Sequence, residues 1–236
     1  RFTWRNFHGN RLRNPKQILN SKSKTVSSFK NSDLDIVSNF DIRASNFILF
    51  VGQMFSRRHA KETILAFEKL LTEHSHILEN LRMLDLRLVM IGPDKYPGST
   101  IEPLVKQIND KLGRQAVIHK DYVADDELAE LFSSAKALVY VSEREAFGLP
   151  PMEALSFGVP PIVMDNELGH ELFGEYAIYA KSGETNDIAE AMRRALSIEN
   201  PSTELGARIK NSGPEFVKKY NWKDFTNCWL KIINES

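Results

Sequence analysis

Short apolar runs alternate with amphipathic segments from residue 47 onward. Six of the runs have the length and continuity of strands that are covered on both faces: 47–51, 86–91, 116–119, 137–141, 161–164 and 177–180. Between them apolar residues recur at helical spacing, as at Ile64, Phe67 and Leu71. This alternation predicts right-handed βαβ crossovers, and therefore an α/β fold with a doubly wound, Rossmann-like parallel sheet.

Polar residues and glycines predict where several helices begin and end. Ser99 and Glu102 have the spacing of a capping box, and Gly113 is placed to close that helix. Asp125 or Asp126 predicts the cap of the next helix. Further helical segments are predicted at 168–173 and 187–196. The aromatic residues after Pro214 recur at helical spacing, which indicates packing: Phe216, Tyr220, Trp222, Phe225 and Trp229.

The beginning of the chain differs in composition from the rest. Residues 1–30 contain eight Lys or Arg and no Asp or Glu, and aromatic residues are interleaved with them. Such a pattern can bind nucleic acid or an anionic membrane, but a solvated arm is the simpler explanation. We expect residues 1–45 to be a basic arm or linker, or the remnant of a preceding domain, and residues 46–236 to form the compact domain.

The overall composition excludes several classes of protein. Lys plus Arg and Asp plus Glu both number 31, so the net charge gives no reason to expect a nucleic acid partner. The single cysteine, Cys228, excludes an internal disulfide and fits a reducing compartment. Because no apolar run reaches about 18 residues and no signal peptide is evident, we expect a cytoplasmic protein, at most peripheral at the inner face of a membrane. The first residue is Arg1, which suggests a processed or trimmed chain.

The candidate chemistry follows the fourth apolar run, in the stretch EAFGLPPMEALSFGVPP at 145–161. In an open α/β sheet, ligands bind where strand ends meet helix starts, and such a site suits a nucleotide diphosphate. Gly148 permits close approach of a ligand. Glu153, near the helix start, suits a ribose diol, and Glu145 can accept hydrogen bonds from a second ring. Two glutamates eight positions apart also occur by chance, so the pair alone is a weak indication.

The whole stretch closely resembles the E-x7-E signature of the retaining glycosyltransferases of family 4, also called group 1. Four further segments resemble that family in the same order: 48–52, 57–59, 126–132 and 220–222. The resemblance covers residues 46–236 and implies that the chain is the C-terminal, nucleotide-sugar-binding half of a GT-B fold. Residues 1–45 are too few to build the N-terminal acceptor domain, so a longer transferase or a partner subunit is expected.

The resemblance also implies roles for the residues of this stretch. Glu153 matches the glutamate that holds the donor ribose, and Glu145 the one that contacts the transferred sugar. The turn that lies against the sugar and the diphosphate consists of Phe147, Gly148 and Leu149.

A second group of donor-binding residues follows the first apolar run. Arg58 matches a basic residue, usually Lys, that stabilises the leaving diphosphate, so Glu145 and Arg58 are the candidate catalytic residues. Gly52 and Gln53 complete the predicted donor site. Gln53 stands where the family usually has Arg, and Asp121 occupies a place near the nucleobase where Gly is common. The amide of Gln53 removes half of the cationic clamp, which is expected to weaken diphosphate binding.

The implied activity is that of a hexosyltransferase-like enzyme that moves a sugar from a nucleotide-diphosphate-sugar to a hydroxyl of a polysaccharide, glycan or lipid-linked acceptor. The nucleotide sugar is a substrate, and no metal or other cofactor is expected. Two alternatives stay open. A GT-B nucleotide-sugar epimerase would need carboxylates and a histidine contributed from two domains. A non-catalytic nucleotide-sugar-binding or regulatory subunit would explain Gln53 and the missing acceptor domain.

Overall fold

The computed structural model describes residues 46–73, 85–198 and 203–221, together with residues 226, 227, 230 and 233. One parallel sheet has the order β3-β2-β1-β4-β5-β6. Its six strands are β1 (Phe47–Val51), β2 (Arg87–Ile91), β3 (Val117–Lys120), β4 (Ala137–Tyr140), β5 (Pro161–Met164) and β6 (Ile178–Ala180). The predicted α/β fold with a doubly wound sheet is confirmed, and each strand begins and ends within one residue of its predicted bounds.

Helices connect and flank the strands. Those within the described residues are α1 (Ala60–Glu73), α2 (Ile101–Leu112), α3 (Asp125–Ser134), α4 (Leu149–Ser156), α5 (Glu167–Phe173), α6 (Thr185–Ser197) and α7 (Glu204–Lys218). Two short 3-10 turns, Ser56–Arg58 and Gly174–Tyr176, precede α1 and β6. None of the described helices is both long enough and apolar enough to cross a membrane.

Both faces of the sheet are covered, which explains the continuous apolar runs. Adjacent residues of β1 point to opposite faces, and yet Ile48, Leu49 and Phe50 are all fully buried. On one face, α1 packs against α6, and Phe67 of α1 is fully buried in the largest core cluster. The strands therefore form a rigid support for the loops at their carboxyl ends.

The strand order reverses at β1, which lies between β2 and β4. Its pairing with β4 places Ile48 opposite Ala137 and Phe50 opposite Val139. Because the strands are parallel, the segments that follow β1 and β4 leave the sheet at the same edge. This reversal is the position where open α/β sheets bind ligands, and it determines which loops can form a site together.

Two of the predicted helix caps were wrong. The helix predicted from Ser99 begins at Ile101, whose amide donates to Asp94 Oδ2 over 2.9 Å, and Ser99 lies outside the helix with a φ of 50°. Asp94, five residues before the predicted cap Ser99, therefore accepts the hydrogen bond at the start of the helix. Helix α3 begins at Asp125 and its N-cap is Ala124, which has no side-chain oxygen, so neither aspartate is the N-cap residue, although both favour the helix dipole from the first turn. Gly113 ends α2 as predicted, with a φ of 65°.

Helix α7 includes Pro214, and its part before that proline was not predicted. The helix tolerates its glycines because it packs closely on α4, where a Cβ on Gly213 would lie 3.1 Å from the carbonyl oxygen of Leu155. The predicted packing of Phe216 and Tyr220 is confirmed. The side chains of Trp222, Phe225, Cys228 and Trp229, and the predicted arm at 1–45, lie outside the described residues.

Candidate functional site

Two glycines bring the backbones that follow β1 and β2 into contact. Gly52 and Gly92 have φ values of 137° and 139°, which side chains rarely adopt. A Cβ on Gly92 would overlap the carbonyl group of Gly52, and a Cβ on Gly52 would lie 2.7 Å from Nη1 of Arg58. The glycine after β1 is therefore needed to let the Arg58 side chain lie across the strand end.

Arg58 occupies the centre of the site. Its Nε donates to Oε1 of Glu145 over 2.7 Å, and its Nη1 donates to the carbonyl oxygen of Gln53 over 3.2 Å. The Arg58 and Glu145 side chains are only 15% and 17% exposed, so solvent screens their attraction less than it would on the surface. Among the residues that the structure describes, Nη2 of Arg58 has no hydrogen-bond partner. The guanidinium can therefore still donate to a ligand.

Two hydroxyl groups at the end of β4 complete the setting of Glu145. Ser142 Oγ donates to Glu145 Oε1 over 3.0 Å, and Tyr140 also donates to this carboxylate. Burial by itself raises the pKa of Glu145, but the hydrogen bond and charge of Arg58, together with the two hydroxyls, outweigh it and lower the pKa. Glu145 is therefore an anion at neutral pH. Burial raises the pKa of Tyr140, which keeps its hydroxyl protonated as a donor.

Tyr140 and Ser142 were not predicted as site residues. Tyr140 also lies against Arg58, with the guanidinium carbon 5.3 Å from the ring centroid. Their position in the sequence was the available signal, because both lie within five residues of Glu145 at the end of a buried strand. A polar side chain at the end of a buried strand needs a hydrogen-bond partner, and a carboxylate nearby in the sequence is a candidate for that partner.

The turn before α4 follows Glu145 directly. Gly148 is the N-cap residue with a φ of 73°, and Leu149, the first residue of α4, is half exposed. Pro150 and Pro151 lie in the first helical turn, so of the first three helix residues only Leu149 carries an amide N–H. A Cβ on Gly148 would lie 3.3 Å from the Phe173 ring. The turn thus presents backbone, without a side chain at its tightest point.

The predicted donor-binding residues form two groups. Arg58, Glu145 and the backbones of Gly52 and Gln53 are in direct or near contact. The side chain of Gln53 is exposed, and its carbonyl oxygen is the atom that holds Arg58. Glu153 lies half-buried on α4, one helical turn beyond Leu149.

Asp121 follows β3, two strands away from β1, and its side chain is exposed. Its nearest ionic partner in the described part of the chain is His119, with His119 Nε2 and Asp121 Oδ1 3.7 Å apart. Within residues 46–73, 85–198 and 203–221, no group of three or more His, Cys, Asp or Glu is placed to hold a metal ion. The independence from metals stays a prediction.

The chain is similar to several known proteins. The serotype-specific mannosyltransferase WbdA of Escherichia coli is 30% identical over 193 residues, which are 80% of this chain and 21% of WbdA. The O-antigen chain mannosyltransferase B of Escherichia coli is 23% identical over 201 residues, 85% of this chain and 48% of that protein. The chain thus spans from about a fifth to about a half of the length of these relatives.

The fold is also similar to that of solved GT-B glycosyltransferases. A structure described as trehalose-6-phosphate from E. coli bound with UDP-2-fluoro glucose aligns with a TM-score of 0.69 at 15% sequence identity, over 94% of this chain and 50% of that one. At this identity the similarity concerns the fold. The model of the family described as glycosyl transferases group 1 matches residues 36–215. The chain therefore belongs to the group 1 glycosyltransferase family.

Proposed function

We propose that this chain is the C-terminal, donor-binding domain of a retaining glycosyltransferase. The observation that carries the proposal is the Arg58–Glu145 pair, which lies at the reversal of the strand order and combines a cation with a carboxylate. Family membership supports the transferase class, and the relatives described above are named as mannosyltransferases. We therefore propose a hexosyltransferase activity for the whole enzyme.

The site offers a suitable group to each part of a nucleotide-diphosphate-sugar. Nη2 of Arg58 can donate to a diphosphate oxygen while Nε stays on Glu145. The second oxygen of Glu145 can accept from a sugar hydroxyl, and Glu153 can accept from the two hydroxyls of the ribose. The turn at 147–149 allows the ligand to approach the backbone, as Gly148 has no side chain there.

In the proposed reaction, the bond between the anomeric carbon of the sugar and a diphosphate oxygen breaks, and its electron pair leaves with the diphosphate. A fixed cation such as Arg58 stabilises this developing negative charge. A new bond forms between the anomeric carbon and the oxygen of the acceptor hydroxyl on the face that the diphosphate left, so the anomeric configuration is kept. The hydroxyl proton passes to the leaving diphosphate or to solvent. An acceptor on a polysaccharide, glycan or lipid would be held outside the described domain.

Gln53 makes the proposed clamp asymmetric. The family position that usually carries a second cation here carries a neutral amide, whose backbone carbonyl oxygen holds Nη1 of Arg58. The charge on the diphosphate would then be met mainly by one guanidinium and by backbone amides. We therefore propose weaker donor binding than two cations would give, with Arg58 carrying most of it.

Titration calorimetry with uridine and guanosine diphosphates and with nucleotide sugars tests the proposal. We expect one of these ligands to bind, and Glu153→Ala to raise its Kd about 10- to 100-fold, because two charge-assisted hydrogen bonds to the ribose are lost. The matched control is Glu167→Ala, which removes an exposed glutamate from the first turn of the neighbouring helix α5. This control should bind like the wild type.

Absence of binding for every nucleotide diphosphate and nucleotide sugar would refute the proposal. Incubation of a bound donor without any acceptor separates transfer from its main alternative. A new sugar epimer in that mixture would identify an epimerase. Donor binding without turnover, in the presence of an acceptor domain and acceptor, would identify a regulatory subunit.

A further inference from the structure

Four aromatic rings connect the end of helix α7 with the turn before α4. This aromatic cluster consists of Phe147, Tyr176, Phe216 and Tyr220. Phe147 meets Tyr220 edge-to-face with ring centroids 5.3 Å apart, and Tyr220 meets Phe216 in the same way at 5.9 Å. Phe216 in turn stacks on Tyr176 at 4.2 Å. The Nζ of Lys219 lies 3.7 Å from the Phe216 centroid. The segment at and just beyond the end of α7 thus reaches the loop that follows β4.

Tyr220 approaches the turn by a second route as well. Its hydroxyl donates to the carbonyl oxygen of Leu172 over 3.3 Å. The next residue, Phe173, has its ring against Gly148, close enough that an added Cβ would lie only 3.3 Å away. The ring of Tyr220 therefore supports Phe147 directly, whereas the hydrogen bond of its hydroxyl to the end of α5 is long and weak, so the ring carries most of the support.

The attachment of α7 does not depend on Tyr220. The helix buries Ile209, Gly213 and Val217, and the backbone at Lys210 lies against Gly158 on the far side of α4. Tyr220 comes after the last residue of α7, Lys218, and is only partly buried. Because other residues anchor α7, the contacts of Tyr220 are not needed to hold the helix. They act instead on the turn at 147–148.

We propose that Tyr220 is a positioning residue for the donor site, which holds the Phe147–Gly148 turn in place. The inference rests on the proposed function, since that function gives the turn its ligand. The turn needs such support because Gly148 adopts a left-handed conformation and the two prolines that follow have no amide N–H. An edge-to-face ring pair contributes to order in a way that a smaller apolar side chain does not replace.

The first experiment measures how well the backbone amides of the turn are protected from exchange, and it needs no ligand. Amide hydrogen exchange of residues 146–149 is followed in the 236-residue chain and in its variants. Tyr220→Leu, which loses the ring, should speed exchange at these amides about 2- to 10-fold, the range expected for one lost aromatic pair. Tyr220→Phe keeps the ring and should protect the turn like the wild type.

Tyr176→Leu is the matched control. It removes a ring of the same cluster that stacks on Phe216 and is not paired with Phe147. Its exchange at residues 146–149 should equal that of the wild type, although its thermal stability should fall by about as much as that of Tyr220→Leu. Unchanged exchange in Tyr220→Leu, or equal acceleration in both leucine variants, would overturn the proposal.

The second experiment connects the turn to the ligand. With the nucleotide diphosphate that binds best, Tyr220→Leu should raise the Kd about 2- to 10-fold, and Tyr220→Phe and Tyr176→Leu should not. If the wild type binds no nucleotide, the proposed function fails, and the exchange experiment still decides whether Tyr220 holds the turn. If the wild type binds and all variants bind equally, the donor function stands and the positioning role is refuted.

Discussion

The two ends of the sheet use their polar side chains for different purposes. At the amino ends of β2 and β3, side chains bond to the backbone. Asn109 Oδ1 accepts from the amides of Ala116 and Val117 over 2.9 and 2.8 Å, and its Nδ2 donates to the Val117 carbonyl oxygen over 2.8 Å. Arg114 Nη2 likewise donates to the Leu86 carbonyl oxygen over 2.8 Å.

At the carboxyl ends of β1 and β4, side chains bond mainly to each other. Arg58 and Glu145 come from segments 87 residues apart, and hydroxyls of Tyr140 and Ser142 donate to the same carboxylate. Burial lowers the pKa of Arg114 at the amino end, where Arg87 adds to the effect, whereas Arg58 has an anion beside it. One end thus satisfies the backbone of the strands, and the other holds an ion pair where the strand order reverses.

This difference separates stability from binding. Hydrogen bonds that satisfy strand ends should matter to folding and leave ligand affinity unchanged. Charged groups that retain a hydrogen-bonding atom for a ligand should matter to affinity. Substitutions of Asn109 and Arg58 test this separation, whereas Gly92→Ala tests the backbone contact at the carboxyl ends of β1 and β2.

Gly92→Ala should destabilise the protein most, by about 3–5 kcal/mol, because its φ of 139° is unfavourable for alanine and the new Cβ would overlap the Gly52 carbonyl. The control is Gly113→Ala, at the end of α2 near the amino end of β3. There a Cβ meets no atom within 4 Å, so only the left-handed conformation opposes it, at about 1 kcal/mol. Urea unfolding measures both, and equal losses would contradict the close backbone contact after β1 and β2.

Asn109→Ala should lower the free energy of unfolding by about 2–3 kcal/mol, because three hydrogen bonds to the backbone at the amino end of β3 are lost. Asn109→Asp keeps the oxygen that accepts from the two amides and should lose less. Nucleotide affinity should stay at the wild-type value in both variants, measured by calorimetry well below the unfolding temperature. A weaker affinity in a folded Asn109→Ala protein would break the separation between the two ends.

The sequence predicted the strands well because both faces of the sheet are covered. A run such as 47–51 has to be apolar throughout, and no tertiary information is needed to recognise it. The start of α2 was mispredicted because capping depends on which oxygen reaches the amide. Asp94 reaches Ile101 across a loop, a path that local spacing between Ser99 and Glu102 does not reveal.

The candidate site was predictable only in part. Family resemblance selected Arg58 and Glu145, but no periodicity indicates that residues 87 positions apart form one ion pair, since the strand order decides it. Tyr140, Ser142 and Tyr220 act on the site through contacts made in three dimensions. The part of helix α7 before Pro214 was not predicted, since a glycine followed by a proline is unusual inside a helix, and the close approach to α4 at Gly213 is visible only in the fold.

Arg58→Met should raise the Kd for the nucleotide diphosphate about 10- to 100-fold, because the guanidinium is the proposed cation for the leaving group. Its cost in stability should be about 1–2 kcal/mol, from the loss of the hydrogen bond to Glu145. Arg58→Lys keeps the charge and should restore most of the affinity. Equal affinities of the methionine and lysine variants would show that the charge of residue 58 is not what binds the ligand.

The smallest expected effect is the pH dependence that Glu145 gives to stability. Its pKa in the folded protein is lowered, so its contribution is complete above the ordinary glutamate pKa of about 4.3 and is lost as the pH falls through the folded value. The difference in unfolding free energy between wild type and Glu145→Gln should therefore be constant from about pH 5 to 7 and should narrow below about pH 4.

The same pair of measurements in the Arg58→Met background tests the cause of this pH dependence. Without the guanidinium, burial is the main influence on Glu145, and burial raises its pKa. A raised pKa means that the folded protein resists the loss of the Glu145 proton. The protein with Glu145 should therefore become less stable, relative to its glutamine variant, as the pH increases. If the pH dependence of this difference is unchanged in that background, the hydroxyls of Tyr140 and Ser142, rather than Arg58, keep Glu145 charged. The anion at the carboxyl ends of the strands would then not depend on the cation beside it.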